Sequence, residues 1–217
     1  MNVNVPYHLF WADTPDRQAC CRRFMQQAYQ REFNAVIPHY LPYQLGMTAN
    51  DGSLVAACGV MPASEGRLYL ENYLEAPVEQ LVSRQGLALE RHQLAEIGNF
   101  AAADGASARI MFVAICLVMN HNRFKHIAFT GTRKLRNIFA RLNLDTVPLA
   151  DAYPDALGSE AENWGSYYTQ QPRIMLGDLA HGYDRLSKNS LLLSLFASIP
   201  SFPFRFKELK HDAIYRY

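Results

Sequence analysis

The chain has little cysteine, no excess of either charge and no long apolar run. Its four cysteines, Cys20, Cys21, Cys58 and Cys116, form no C-x-x-C pair, which excludes a zinc framework and a disulfide scaffold and fits reduced thiols. Lysine and arginine number 21 against 20 aspartates and glutamates. A protein dedicated to nucleic acid carries a basic excess, so no nucleic acid is expected as a partner. The longest unbroken apolar stretch, Ile110 to Met119, is far short of the ~20 residues that a membrane span needs. It reads instead as a helix buried on all sides. Met1 to Pro15 lacks the charged start and apolar core of a secretory leader, so a cytoplasmic location is expected. No two of the seven histidines stand at the i, i+4 spacing of a helical metal site, and no metal is expected. With neither G-x-S-x-G nor a Walker sequence, lipase and NTPase readings find no support. Neither an internal repeat nor a Gly/Ser linker divides the chain.

What is present is 217 residues, 49% apolar and 19% charged. Such a chain buries about 70% of its unfolded surface and folds as one domain, two at most. Thr14 to Phe33 reads as a helix with Thr14 as N-cap and Pro15 at its first position. Tyr43 to Ala49 and Leu54 to Pro62 are extended, and Asn50-Asp51-Gly52-Ser53 between them is a hairpin turn. A third extended run is expected near Arg67, and a short helix over Pro77 to Ser83. Arg91 to Ala101 reads as a strand, followed by a loop at Asp104-Gly105-Ala106-Ser107 and the apolar helix Ser107 to Asn120. His126 to Thr132 is a strand. Arg133 to Asn143 is an amphipathic helix with Leu135, Ile138, Phe139 and Leu142 on one face. Asp145 to Ala152 and Tyr167 to Leu176 complete the strands. Helices interleaved with strands predict an α/β fold with a mixed (α+β) sheet of six or seven strands. The Glu96 strand should lie centrally.

The last part of the chain differs in character. Leu191 to Leu193, Leu195, Phe196, Ile199, Phe202, Phe204 and Phe206 alternate with Pro200 and Pro203, beside Arg205, Lys207 and Lys210. We therefore read residues 1–180 as the domain and 181–217 as an extension. It packs on the core, joins two copies in a homodimer, or meets a membrane surface or carrier protein.

Several pieces occur in a telling order: Leu70-Glu71-Asn72-Tyr73-Leu74 before Pro77-Val78-Glu79; Glu96-Ile97-Gly98-Asn99-Phe100-Ala101; Phe129-Thr130 before Leu135-Arg136 and Phe139-Ala140-Arg141-Leu142; and Trp164-Gly165-Ser166-Tyr167-Tyr168 before Pro172. Together, over about Thr14 to Leu179, they resemble the bacterial thermostable-hemolysin family. That family looks like a branch of the GNAT N-acyltransferase superfamily, similar to acyl-homoserine-lactone synthases. Those synthases carry a Glu-x-x-Arg-Phe-Ala/Val strand motif; residues 96–101 match it except that Asn99 replaces arginine. Their acidic ladder for S-adenosylmethionine is absent between Tyr40 and Ser53, where only Asp51 is acidic. The resemblance implies acyl transfer from a pantetheine thioester, acyl-CoA or acyl-carrier protein, to a small amine. The alternative is a non-catalytic GNAT-like module acting on a membrane or protein partner. An open split between the two central strands favours the enzyme; a groove filled by side chains favours the module.

Within that frame each candidate has a chemical role and a plain structural alternative. Glu96, in an apolar strand, can be a general base with a raised pKa, or a structural carboxylate bonded to backbone amides. Gly98 marks a bulge or a close packing contact. The backbone of Asn99, Phe100 and Ala101 would pair with the pantetheine arm, and Asn99 can supply an amide donor. Gly105, Ala106 and Ser107 fall at the superfamily's pyrophosphate loop, although Asp104 there also reads as an ordinary helix cap. Thr130 can bond the acyl or pantetheine amide. Arg133 and Arg136, with Lys134 and Arg141, can dock an acidic carrier protein or simply face solvent. Tyr167 and Tyr168, on opposite faces of a strand, offer a phenol to protonate the leaving thiolate, and Tyr168 is the one assigned that role. Cys116, inside the apolar helix, is expected to be inert.

Overall fold

The computed structural model describes residues 6–201 apart from 85, 142–143, 145, 188–193 and 197. Phe202, Phe204, Phe206, Arg205, Lys207, Lys210, Leu142 and Leu191 to Leu193 lie outside the described residues, as does most of the proposed extension. Among the described residues, seven strands form one sheet: β1 (Tyr7–Trp11), β2 (Tyr43–Ala49), β3 (Leu54–Pro62), β4 (Leu94–Ala102), β5 (His126–Gly131), β6 (Thr146–Asp151) and β7 (Arg173–Asp178). Their spatial order is β1-β2-β3-β4-β5-β7-β6, so the Glu96 strand is the central one. Among the described strands, only the β4–β5 pair is parallel. Five α-helices among the described residues accompany the sheet: α1 (Pro15–Phe33), α2 (Val78–Ser83), α3 (Gly105–His121), α4 (Arg133–Arg141) and α5 (Leu179–Ser187).

Local chemistry explains most boundaries. Thr14 accepts the Arg17 N–H, and α1 ends at Asn34 in the left-handed conformation. Gly52, at φ 81°, closes the β2–β3 hairpin, and Asp51 accepts from the Ser53 N–H and hydroxyl. The ten-residue apolar run lies inside α3, whose residues Met111 to Met119 are all buried. α3 packs beneath β3 and β4 against Ala56, Cys58, Val60 and Ile97. α1 covers the opposite face through Ala57 and Ala101. The segment between β3 and β4 covers the rest of that second face, over Ala128, Ile174 and Leu176.

The structure corrects several expectations. The run near Arg67 is not a strand: Tyr69–Tyr73 is a 3-10 helix, because the Glu71 carboxylate folds back onto the Leu68 N–H at 3.0 Å. Arg91–Gln93 is likewise a 3-10 turn, and β4 begins at Leu94. Tyr167–Gln170 is a 3-10 turn ended by Gln171 at φ 50°, so Tyr167 and Tyr168 do not alternate across a strand. β7 starts only at Arg173. β1, the irregular 3-10 stretch Pro154–Trp164 and α5 carried no sequence signal that we read. In the described part of the extension, Phe196 is buried in the α3-side core and bridges Tyr7 of the edge strand.

Glu71 also organises the segment over the sheet. It is 3% exposed, accepts the Val78 N–H at 3.2 Å and takes both arms of the Arg91 guanidinium at 2.8 and 3.1 Å. Arg91 further donates to Glu79 at 2.8 Å and to the Gly66 carbonyl at 2.7 Å. Burial pushes the Glu71 carboxyl up, but the guanidinium and the two amides outweigh it and hold it below the ordinary carboxylate range. Arg91→Leu leaves this carboxylate buried without its partner. We expect a loss of roughly 3 kcal/mol, the low end for breaking a buried pair because Arg91 is partly exposed. Chemical denaturation measures it, and an unchanged midpoint would refute the role.

Candidate active site

The site begins with one extra residue. Gly59 pairs with Gly98 and Ala57 with Ala101, so two steps on β3 face three on β4. Asn99 is the surplus residue, with φ 49°. Asparagine tolerates this left-handed conformation better than most residues, and such a bulge bends its strand. Pairing between β4 and β5 ends at Ile97 and Phe129, although β4 continues to Ala102 and β5 to Gly131. Beyond that point the two central strands part.

A cavity of about 350 Å³ occupies the split. On the α3 side of the sheet its walls include Phe100, Phe112, Phe129, Phe139, Leu135 and Ile138. The four phenylalanines form a chain with ring centroids 4.4 to 4.6 Å apart, stacked at Phe100–Phe112 and Phe129–Phe139 and tilted by 56° at Phe112–Phe139. On the α1 side the walls are Tyr29, His39, Tyr69, Tyr73, Trp164 and Tyr167, together with Glu96. One chamber is therefore apolar, and the other is aromatic with polar edges.

Glu96 is 3% exposed. One oxygen accepts the Tyr69 N–H at 2.7 Å and the other the Leu70 N–H at 3.1 Å. Burial raises its pKa to about 8 against the pull of the two amides, and the negative charge of Glu71 adds to the rise. The turn that Glu71 closes thus presents the amides that hold Glu96. Both features named for this residue, a raised pKa and backbone bonding, coexist at one carboxylate.

Asn99 does not offer a free amide. Its oxygen accepts the Leu41 N–H at 2.9 Å and its nitrogen donates to the His39 carbonyl at 3.0 Å. The side chain pins the 39–41 segment onto the bulge. Leu41 sits so close that a Cβ on Gly98 would lie 2.9 Å from its Cδ1, so Gly98 both borders the bulge and seats this leucine. Phe100 and Ala101 line the cavity with Asn99.

Gly105 lies on the cavity wall, but the helix N-terminus behind it is already capped. Asp104 accepts from the Ala106 and Ser107 N–H groups, both at 2.8 Å. These bonds hold its carboxyl below the usual range, and an anion seeking the same amides must displace it. Ala106 and Ser107 do not line the cavity. Thr130 does, and its carbonyl accepts a long 3.4 Å bond from the Tyr167 hydroxyl. Arg133 reaches the Gln171 side chain. Arg136 donates to the carbonyls of Gly131 and Gln171 at 2.7 and 2.8 Å. Both stand outside the cavity. Lys134 lines it and pairs with Glu32 of α1 at 2.8 Å.

Tyr168 stands behind the wall, its hydroxyl 2.8 Å from that of Tyr73, which lines the cavity. Burial raises the pKa of Tyr69, Tyr73, Tyr167 and Tyr168 alike, so all four remain phenols at neutral pH. Sequence reasoning missed His39, Tyr69, Trp164 and Lys134 as wall residues, although Tyr73 and Trp164 lay within the quoted segments. Trp164 is placed by a close backbone approach: a Cβ on Gly165, at φ 52°, would come 2.2 Å from the Phe33 carbonyl oxygen. Cys116 is buried, and burial pushes its thiol up to about 12. Among the described residues, no three His, Cys, Asp or Glu side chains gather to hold a metal ion, and no helix is long and apolar enough to cross a membrane.

Comparison with known proteins agrees with this architecture. The model of the thermostable hemolysin family matches residues 12–183. No curated protein matches the chain in sequence. Among solved structures, TofI in an apo form superposes with TM-score 0.57 at 13% identity, covering 85% of this chain and 98% of that one. FeeM, an N-acyl amino acid synthase from uncultured soil microbes, gives 0.56 at 14%, covering 84% and 98%. MesI, a CoA-dependent acyl-homoserine lactone synthase, gives 0.51 at 14%, covering 84% and 93%. At these identities the likeness establishes the fold, a GNAT-like mixed sheet.

The raised Glu96 pKa has a thermodynamic consequence. Between about pH 4.5 and 8 the folded state keeps a proton that the unfolded chain has lost, so stability falls as pH rises. The slope is at most about 1.4 kcal/mol per pH unit, and it levels above pH 8. Glu96→Gln sets an NH2 against one of the two amides and costs roughly 1–3 kcal/mol at pH 5. It also removes the titration, so the deficit should shrink toward pH 8. A deficit independent of pH in denaturant titrations would mean that Glu96 titrates normally.

Proposed function

Since the chain belongs to the thermostable hemolysin family and carries an open, carboxylate-bearing cleft in a GNAT-like sheet, we propose that it is an N-acyltransferase. It moves an acyl group from a pantetheine thioester to a small amine. The observation that carries this reading is the β4–β5 split with Glu96 on the cavity wall. A split packed with side chains would have favoured the non-catalytic module; an open cavity favours the enzyme.

In this reading the pantetheine arm lies along residues 99–101 on the edge that β5 leaves unpaired, as an added strand. The acyl chain enters the apolar chamber lined by the phenylalanines. The amine enters from the α1 side, attacks the thioester carbonyl carbon and forms the N–C bond. Its surplus proton passes to the Glu96 carboxylate, directly or through a water. A pKa of about 8 suits a group that must take a proton near neutral pH and release it again. The C–S bond breaks, and the thiolate takes a proton from a wall phenol. Tyr73 is the phenol on the cavity side, and Tyr168 acts through it by way of the hydroxyl pair. Thr130, on the opposite lip, offers its hydroxyl to the donor's amide.

The donor divides into two cases. MesI is a CoA-dependent synthase, and the fold alone permits acyl-CoA here. The Asp104 cap favours acyl-carrier protein, because it takes up amides that a diphosphate would use. Arg133, exposed on α4, and the half-buried Arg136 beside it supply positive charge for an acidic carrier.

Two measurements test this. Glu96→Gln should lower turnover by about 10²–10⁴-fold, and the wild-type rate should rise with pH and level off above about 8. A fully active Gln variant would move the base elsewhere. A donor that binds only the folded state raises the melting temperature by mass action, and acyl-carrier protein should raise it more than acyl-CoA at equal concentration. Asp104→Ala, which removes the cap of α3, should narrow that difference. A larger shift with acyl-CoA in the wild type would overturn the donor preference.

A further inference from the structure

The cavity-wall residues that are also exposed to solvent mark where the cavity opens. His39 marks one opening, beside Tyr69, whose N–H holds Glu96. Arg31, Glu32, Ala103, Asp104, Gly105 and Lys134 mark another. This second mouth lies beyond the carboxyl ends of β4 and β5, where the last turn of α1 meets the first turns of α3 and α4. The Lys134–Glu32 pair ties α1 to α4 across it.

The charges at this mouth do not cancel. Glu32 offsets Lys134. Asp104 is satisfied by the Ala106 and Ser107 amides of α3. Arg109 folds back over the same turn: a Cβ on Gly105 would lie 3.9 Å from its Nη1, and its charge acts on the Asp104 carboxylate. Three cations thus stand against two carboxylates, and Arg31 is the one left without a counter-ion. Among the described residues, neither Arg31 nor Arg109 has a hydrogen-bond partner. Each presents a whole guanidinium fork, a group that matches phosphate with two parallel bonds. A cation in the last turn of α1 also complements the helix carbonyls, but that role requires no place on the cavity wall.

In the transfer reading the donor's arm runs along residues 99–101, with its thioester at the split. The same edge of β4 continues outward to Ala102 and ends at this mouth. The phosphate at the far end of the arm therefore emerges among these side chains. The α3 amides that would receive it are held by Asp104, whereas the two guanidiniums keep their donors free. We propose that Arg31 and Arg109 bind the phosphate of the donor's phosphopantetheine, in place of the α3 amides. This rests on the acyltransferase reading for the identity of the ligand.

The test compares octanoyl-pantetheine with octanoyl-phosphopantetheine, which differ by that phosphate alone. Each is titrated calorimetrically into the full chain. The phosphorylated thioester should bind on the order of tenfold tighter or more, and added salt should narrow the gap. Arg31→Gln and Arg109→Gln together should remove most of the gap and leave the affinity for octanoyl-pantetheine unchanged. Arg23→Gln, at an exposed arginine of α1 off the cavity wall, should change neither. Melting curves check that the variants fold. In the double variant the affinity for octanoyl-carrier protein or for octanoyl-CoA should also fall, and the donor that loses affinity is the one that uses the site. Equal binding of the two pantetheine thioesters to the wild type overturns the inference and leaves the transfer reading intact. So does a gap that survives the double variant, or unchanged affinity for both natural donors. If neither pantetheine thioester binds, the transfer reading fails and the phosphate site fails with it.

Discussion

Asn99 stands as the one surplus residue between two β3–β4 pairs, and the rest of the site follows from the bend it makes. A sheet whose central strands stayed paired to their ends would have no interior space, because close-packed layers leave few voids. The bulge ends β4–β5 pairing at Ile97 and opens a passage from one face of the sheet to the other. The same side chain then fastens residues 39–41 over the gap with two hydrogen bonds. One asparagine thus bends the strand and anchors the segment that borders the opening.

The electrostatics of the site are layered in the same way. Glu71 is an ionised carboxylate whose burial is offset by a bidentate guanidinium and two amides. It fixes the 3-10 turn at Tyr69–Tyr73, and that turn supplies the two N–H groups that hold Glu96. Burial raises the pKa of Glu96, no guanidinium offsets it, and the charge of Glu71 adds to the rise. Two buried glutamates a short distance apart in the fold therefore have opposite shifts. The difference comes from the Arg91 guanidinium, which offsets burial at Glu71 and has no counterpart at Glu96.

At the start of α3, helix stability and anion binding compete for the same amides. The Asp104 cap satisfies donors that the superfamily's fold would otherwise point at a phosphate. The cavity wall nonetheless includes Gly105 beside it, so the entrance to the split is open while its anion site is taken. A fold shared with acyl-homoserine-lactone synthases does not carry their substrates with it.

Much was legible in the sequence for local reasons. Thr14-Pro15 starts a helix because its caps are near neighbours. Asn50-Asp51-Gly52-Ser53 turns a hairpin because glycine supplies the positive φ. Met111 to Met119 is buried because no face of it suits water. The family and the GNAT-like sheet were legible from the order of short pieces, and Glu96 stood out as a carboxylate in an apolar strand. The 3-10 turns at 69–73 and 167–170 were not legible, because each is held by partners distant in the chain or by side chains folding back. Nor did sequence reveal that Asn99 spends its amide on residues 58 and 60 positions away, or that Tyr168 stands behind Tyr73. Patterns of apolar spacing record which side of an element faces the core. Which polar groups meet across the sheet depends on how the elements pack, and only the tertiary structure decided that.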